Sequence, residues 1–166
     1  MRYFIKEDDI EKELIGVCLN ELGYNHHYNC LHIDHLNRPS EREVLNLDVL
    51  RREIKRINAN ETTRVDGLDN SDIESALSAI ASIDLNSDPK VLNARILKRI
   101  INGYKMDVLQ ADGRRKQRTI QYIDWSNPKS NQFDIVNQLW IQSDVYRLRP
   151  DVIIYVNGIP IITIEL

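Results

Sequence analysis

Apolar residues recur every three or four positions over several stretches between Asp8 and Gly103, and the period changes to two from Tyr104. The change of period predicts helices first and strands later. A first helix over Asp8–Leu22 places Ile10, Leu14, Ile15, Cys18 and Leu22 on one face and stops at Gly23, a residue suited to a C-terminal cap. Residues 25–39 hold four histidines and no clear period, which reads as loop or short irregular strand. Ser40 with Glu43 has the spacing of a capping box, and the helix it predicts carries Val44, Leu47, Leu50, Ile54 and Ile57. Residues 58–70 are polar and contain Gly67, an exposed loop. Ser71 with Glu74 repeats the box ahead of Ile73, Ala76, Leu77 and Ile80. Asp88-Pro89 supplies a cap and a first helical residue, and that helix ends at Asn102-Gly103.

From Tyr104 the pattern is that of strands. Tyr104, Met106 and Val108 alternate with polar residues, Asp112-Gly113 marks a turn, and Arg118–Trp125 returns. Asn127-Pro128 breaks the run, and Phe133–Ile141 is a third strand. Residues 151–166 form two β-branched runs around Asn157-Gly158, a strong hairpin signal. Both runs are apolar on both faces, which predicts central strands covered by helices. The expected class is α/β: a central mixed sheet flanked by helices. It forms a single domain over 1–166, helical from about 8 to 103 and strand-rich from about 104 to 166.

That hairpin carries the candidate chemistry. Asp151 opens its first strand and Glu165 nearly closes its second, both at the end far from the turn. An unpaired carboxylate in apolar surroundings is costly, and a shared divalent cation is one way to offset the cost. A pairing with Arg147 or Arg149 is the plainer alternative. Parity limits the first reading. With a two-residue loop, Asp151 pairs with Ile164 and Glu165 points to the opposite face. A three-residue loop, or a bulge further along either strand, restores the match. Pro160, which has no N–H to donate, suits an interrupted ladder.

The wording of residues 149–166, Arg-Pro-Asp through Asn-Gly-Ile-Pro to Ile-Glu-Leu, resembles the start of the PD-(D/E)xK nuclease signature. More specifically, it is similar to the N-terminal nuclease domain of the restriction (R) subunit of type I restriction-modification enzymes. The likeness extends to Leu22-Gly23-Tyr24, Asn93-Ala94-Arg95 with Gly103, Ile123-Asp124-Trp125, Asn131 and Asn137-Gln138. It implies a restriction-endonuclease-like fold and Mg²⁺-dependent cleavage of double-stranded DNA. Asp151 and Glu165 would be the catalytic metal-binding carboxylates, and the backbone carbonyl of Leu166 a further ligand.

Family nucleases also bring an acid from the first helix towards the metal. A helical wheel sets Glu11 between Leu14, Cys18 and Leu22, so its position suits that role. Glu7, Glu13 and Glu21 remain rivals, and an ordinary boundary glutamate is the alternative. The signature lysine would follow Leu166, so the sequence reads as a fragment cut short in mid-strand, expected to be inactive alone. The resemblance further implies an ATP-driven translocase elsewhere in the full-length subunit, with ATP as its cofactor. Methylation and specificity subunits are the implied partners, and no sequence-reading element is visible here. A noncatalytic nuclease-like docking module that contacts motor or partner subunits is the competing reading.

Composition narrows little beyond this. A net charge of −3 argues against a broad DNA-coating surface and permits a local basic site. Cys18 and Cys30 lack metal-like spacing, which predicts a reduced cytoplasmic protein. No apolar run reaches membrane-spanning length. Arg114-Arg115-Lys116-Gln117-Arg118 falls at a predicted hairpin tip, where it meets DNA phosphate, contacts another domain or is simply solvated. His26, His27, His32 and His35 read as surface or packing residues rather than zinc ligands. Trp125 and Trp140 read as core.

Overall fold

The computed structural model describes residues 6–32, 34–36, 38–59, 68–81, 88–110 and 112–166. In chain order its elements are α1 (Glu7–Asn20), β1 (His26–Asn29), α2 (Leu47–Ile57), α3 (Asn70–Ala81), α4 (Pro89–Asn102), β2 (Tyr104–Leu109) and β3 (Arg115–Ile120). After a 3₁₀ turn at Pro128–Ser130 come β4 (Phe133–Asn137), β5 (Ile141–Gln142), β6 (Arg147–Leu148), β7 (Val152–Val156) and β8 (Ile159–Ile164). The class is mixed α/β, as the change of period predicts. The chain divides into two compact units, Met1–Asn46 with Gln132–Leu166, and Leu47–Asn131.

The first unit is built on a four-stranded sheet of order β1-β4-β7-β8. β1 runs parallel to β4 and the other pairs are antiparallel, so the sheet is mixed. Alternation along β4 and β7 sends Val136, Ile153 and Tyr155 into one cluster with Cys30, Leu36 and Leu139. It sends Ile135 and Val152 into another, under Ile15 and Cys18 of α1. Both faces are therefore covered, which is why these strands are apolar throughout. Each fully buried Ile or Val contributes about 2 kcal/mol. Only the middle of the predicted apolar stripe is used: Ile10 near the start of α1 is exposed, and so is Leu22 beyond its end. The helix stops at Asn20, and Gly23 takes the left-handed conformation at φ 72°.

The terminal hairpin departs from expectation in one respect and meets it in another. β7 is central, but β8 is an outer strand of this sheet, with Ile161 and Ile162 nearly half exposed. A β-branched run alone does not separate the two positions. The turn is a two-residue loop, Val156 pairing with Ile159, and Asn157 and Gly158 both hold positive φ (52° and 81°). That is the twist of a type I′ turn. Asn157 is buried and fixed: its Oδ1 accepts from the Gln132 N–H at 2.8 Å, and its own N–H donates to the Gln132 carbonyl at 2.8 Å. Tyr155 pairs with Pro160, but Ile154 pairs with Ile162, so Ile161 is bulged out of the ladder. The bulge restores the parity that the two-residue loop alone would break.

Residues 40–46 of the first unit, and the second unit, depart from several local expectations. No helix begins at Ser40; instead the Glu43 N–H donates to the Ser40 carbonyl and the Glu43 carboxylate accepts from the Leu45 N–H. These bonds close a turn, and α2 begins at Leu47. The capping box of α3 is Asp69 with Asp72 rather than Ser71 with Glu74: Asp72 N–H donates to Asp69, and Asp69 N–H donates to Asp72, at 2.8 and 3.1 Å. α4 forms as predicted, Asp88 accepting from the Lys90 N–H at 2.7 Å and Gly103 following its end at φ 76°. β2 and β3 make a separate two-stranded sheet, Tyr104 opposite Ile120. The basic run therefore lies mostly along β3 rather than at a tip, and the strand ends at Ile120 instead of Trp125. Trp125 is 55 % exposed and does not belong to the core. Buried Tyr122 anchors the following segment by donating to the Ala76 carbonyl at 2.7 Å.

Candidate functional site

Asp151 sits one residue ahead of β7, and the Val152–Ile164 pair puts Glu165 at the facing step just beyond β8. The Leu166 N–H crosses to Asp151 and donates to its Oδ2 at 2.8 Å. On the neighbouring strand, β4 ends in buried Asn137 and passes into Gln138, which holds a left-handed backbone at φ 59°. This conformation is uncommon outside glycine, asparagine and aspartate, and it is frequent at functional sites. Its backbone N–H donates to the Asp151 carbonyl at 3.0 Å. The left-handed turn also aims the Gln138 side-chain amide at two acids. Nε2 lies 2.8 Å from Glu11 Oε2 and 3.4 Å from Asp151 Oδ1.

Glu11 comes from α1, and its other oxygen accepts from Asn137 Nδ2 at 2.6 Å. Asn137 is oriented in turn by His27, whose Nε2 is 2.9 Å from Asn137 Oδ1. A continuous polar chain thus runs from β1 through β4 to the carboxylates of α1 and β7. Of the candidate glutamates near the N terminus, Glu11 and Glu7 line the cleft here, as does Asp8, whereas Glu13 and Glu21 are exposed and line none of it. The cleft encloses about 400 Å³ and includes Glu11, Asn137, Gln138, Asp151 and Leu166 in its wall. Glu165 is exposed and lies outside that wall. Among the described residues no three His, Cys, Asp or Glu side chains gather into a group able to hold a metal ion.

The oxygen donors of the cleft suit a hard divalent cation, which is typically held by one or two carboxylates with the remainder water. Asp151 receives only amide N–H groups, and neither Asp151 nor Glu165 pairs with a cation among the described residues. The alternative pairing with Arg147 does not occur. Arg147 binds Glu41 through two bonds of 2.7 and 2.6 Å instead.

Sequence reading underrated Gln138 and Asn137, whose types fit backbone satisfaction equally well. Asn131 does play that simpler part, its amide bonding both the N–H and the carbonyl of Asp124. His26 bonds to buried Asp134 at 3.0 Å, so two of the four histidines serve strand-to-strand contacts. Burial pushes the Cys18 and Cys30 thiols up, which keeps them protonated and unreactive. No helix among the described residues is long and apolar enough to cross a membrane.

Over residues 4–166 the chain matches the family described as the N terminus of type I restriction enzyme R proteins. It is 28% identical over 166 residues to the type I restriction enzyme HindI endonuclease subunit of Haemophilus influenzae, a match covering 98% of this chain and 15% of that protein. It is 26% identical over 166 residues to a Methanocaldococcus jannaschii protein provisionally named type I restriction enzyme MjaIXP endonuclease subunit, covering 97% of this chain and 15% of that protein. The chain therefore spans about 15% of the length of these relatives.

Proposed function

The chain belongs to the family of type I restriction enzyme R protein N termini, and from that premise we propose that it is a Mg²⁺-dependent domain that cuts double-stranded DNA. The observation that supports this most is the convergence of Glu11 and Asp151 on one cleft, with a bulge at Ile161 that aligns Glu165 with Asp151. Asp151, Glu165 and the Leu166 carbonyl would hold the cation, with Glu11 beside it. Bound there, Mg²⁺ would stabilise charge on the phosphate oxygens and lower the pKa of a coordinated water. The chain's own part is to hold the carboxylates in place. Gln138 and Asn137 donate to them, and the Leu166 N–H fixes the second oxygen of Asp151. In the full-length protein this domain would work in the cytoplasm with an ATP-driven translocase and with methylation and specificity subunits.

A second reading, a noncatalytic docking module, draws on the exposure of Glu165 away from the cleft wall. One experiment separates the two. In the full-length protein, Asp151→Ala and Glu165→Ala should each abolish cutting of duplex DNA while ATP hydrolysis and subunit assembly persist. Cutting at the wild-type rate in both variants would transfer the weight to the docking reading.

A further inference from the structure

Two cations line the cleft beside the acids, Lys12 from α1 and Arg149, two residues ahead of Asp151. Among the described residues neither side chain makes an ion pair or a hydrogen bond. Arg149 is nonetheless braced. Its guanidinium carbon lies 5.1 Å from the centre of the Trp140 ring, and that of Arg147 lies 3.8 Å from the same ring. One indole thus carries two guanidinium groups in different electrical circumstances. The charge of Arg147 is cancelled by both oxygens of Glu41, whereas that of Arg149 is not cancelled. Trp140, expected in the core, is a half-buried platform instead.

The rest of the cleft's charge is negative: Glu7, Asp8, Glu11 and Asp151. A polyanion approaching that wall is repelled unless positive groups flank the acids. A braced guanidinium is suited to the task, since its planar donors match phosphate oxygens and stacking reduces the freedom lost on contact. We infer that Arg149, held on Trp140 and joined by Lys12, contacts backbone phosphates of duplex DNA at the mouth of this cleft. The inference rests on the DNA-cutting reading above and adds to it the residues that receive the substrate's backbone.

The test is the salt dependence of duplex binding by the 166-residue chain, followed by fluorescence anisotropy with a short duplex in metal-free buffer. Each phosphate contact contributes a slope of about −0.9 in log K against log salt. Arg149→Gln should reduce the slope by about one contact and weaken binding roughly three- to tenfold, with Lys12→Gln reducing it similarly. Arg147→Gln, which removes a charge already matched by Glu41, should leave the slope unchanged. Trp140→Leu should weaken binding without altering the slope, because the charge remains and only its brace is lost. An unchanged slope for Arg149→Gln, an equal loss for Arg147→Gln, or no duplex binding by the wild-type chain would each overturn the inference. Asp151→Ala in the full-length protein tests the parent reading separately. If that variant stops cutting while Arg149→Gln binds normally, only the phosphate assignment fails.

Discussion

Glu11 and Asp151, from opposite ends of the sequence, share one donor: the side-chain amide of Gln138 reaches both, at 2.8 and 3.4 Å. That amide is available because Gln138 accepts a backbone conformation glutamine seldom adopts, φ 59° directly after β4. Backbone strain and carboxylate placement are therefore linked in a single residue.

Substitution at Gln138 can separate these two effects. Gln138→Ala removes the amide and keeps the strain, and should cost about 1–2 kcal/mol of stability. Gln138→Gly removes the amide and relieves the strain, and should be more stable than the alanine variant by about 1 kcal/mol. Urea unfolding of both variants provides the check. Equal midpoints would mean that the left-handed turn stores no strain.

Asn157→Ala should be among the most damaging single changes in the hairpin. Asn157 is fully buried, satisfies the Gln132 N–H and holds φ 52°. Loss of a buried acceptor and the left-handed cost of alanine together amount to about 2–4 kcal/mol. Thermal unfolding would show it as a clear drop in Tm. A change of less than about 1 kcal/mol would contradict the buried hydrogen bond.

Two glycines with the same sign of φ should respond differently to alanine. A methyl at Gly103 would lie 2.7 Å from both the Ile120 carbonyl oxygen and Thr119 Cγ2, whereas one at Gly23 would meet nothing within 4 Å. Gly23→Ala should cost about 1 kcal/mol from backbone conformation alone. Gly103→Ala should cost about 3 kcal/mol or more, because the clash is with backbone and not only with a flexible tip. Chemical denaturation of the pair would check the ordering.

Acid should act on the segment after β3 through Asp124. The Ser126 hydroxyl, the Asn127 N–H and the Ser130 hydroxyl all donate to it and hold its carboxyl down at about 2. An unfolded aspartate titrates near about 4. The depressed folded value means the stabilisation is full above that figure and is lost as pH falls from about 4 towards 2. The stability difference between the wild-type chain and Asp124→Asn should therefore shrink across that interval. A difference that stays constant down to pH 2 would show that these hydrogen bonds do not favour the ionised form.

Local signals were legible wherever one residue type does one job. Asp88-Pro89 and Gly103 bracket α4, and Asn157-Gly158 forms the turn as read. The shared parity of Asp151 and Glu165 required an irregular hairpin, and the bulge at Ile161 provides it. Non-local relationships were not legible. β1 was ambiguous because its register, His26 opposite Asp134, lies across most of the chain and leaves no trace in the local period. The outer position of β8 was missed because a β-branched run reads alike at a sheet's centre and at its margin. Gln138 belongs to the family wording, but its left-handed turn carried no signal, since glutamine is not a residue that announces one.

The bulge has one more effect. Each residue inserted into a strand reverses the facing of everything beyond it, so Ile161 acts as a half-period shift between the turn and Glu165. Deleting Ile161 would give β7 and β8 an uninterrupted ladder and a more regular sheet, while rotating Glu165 to the side away from Asp151. Improvement of the sheet and alignment of the acids are opposed at this position, and the irregular strand is the form in which the acids agree.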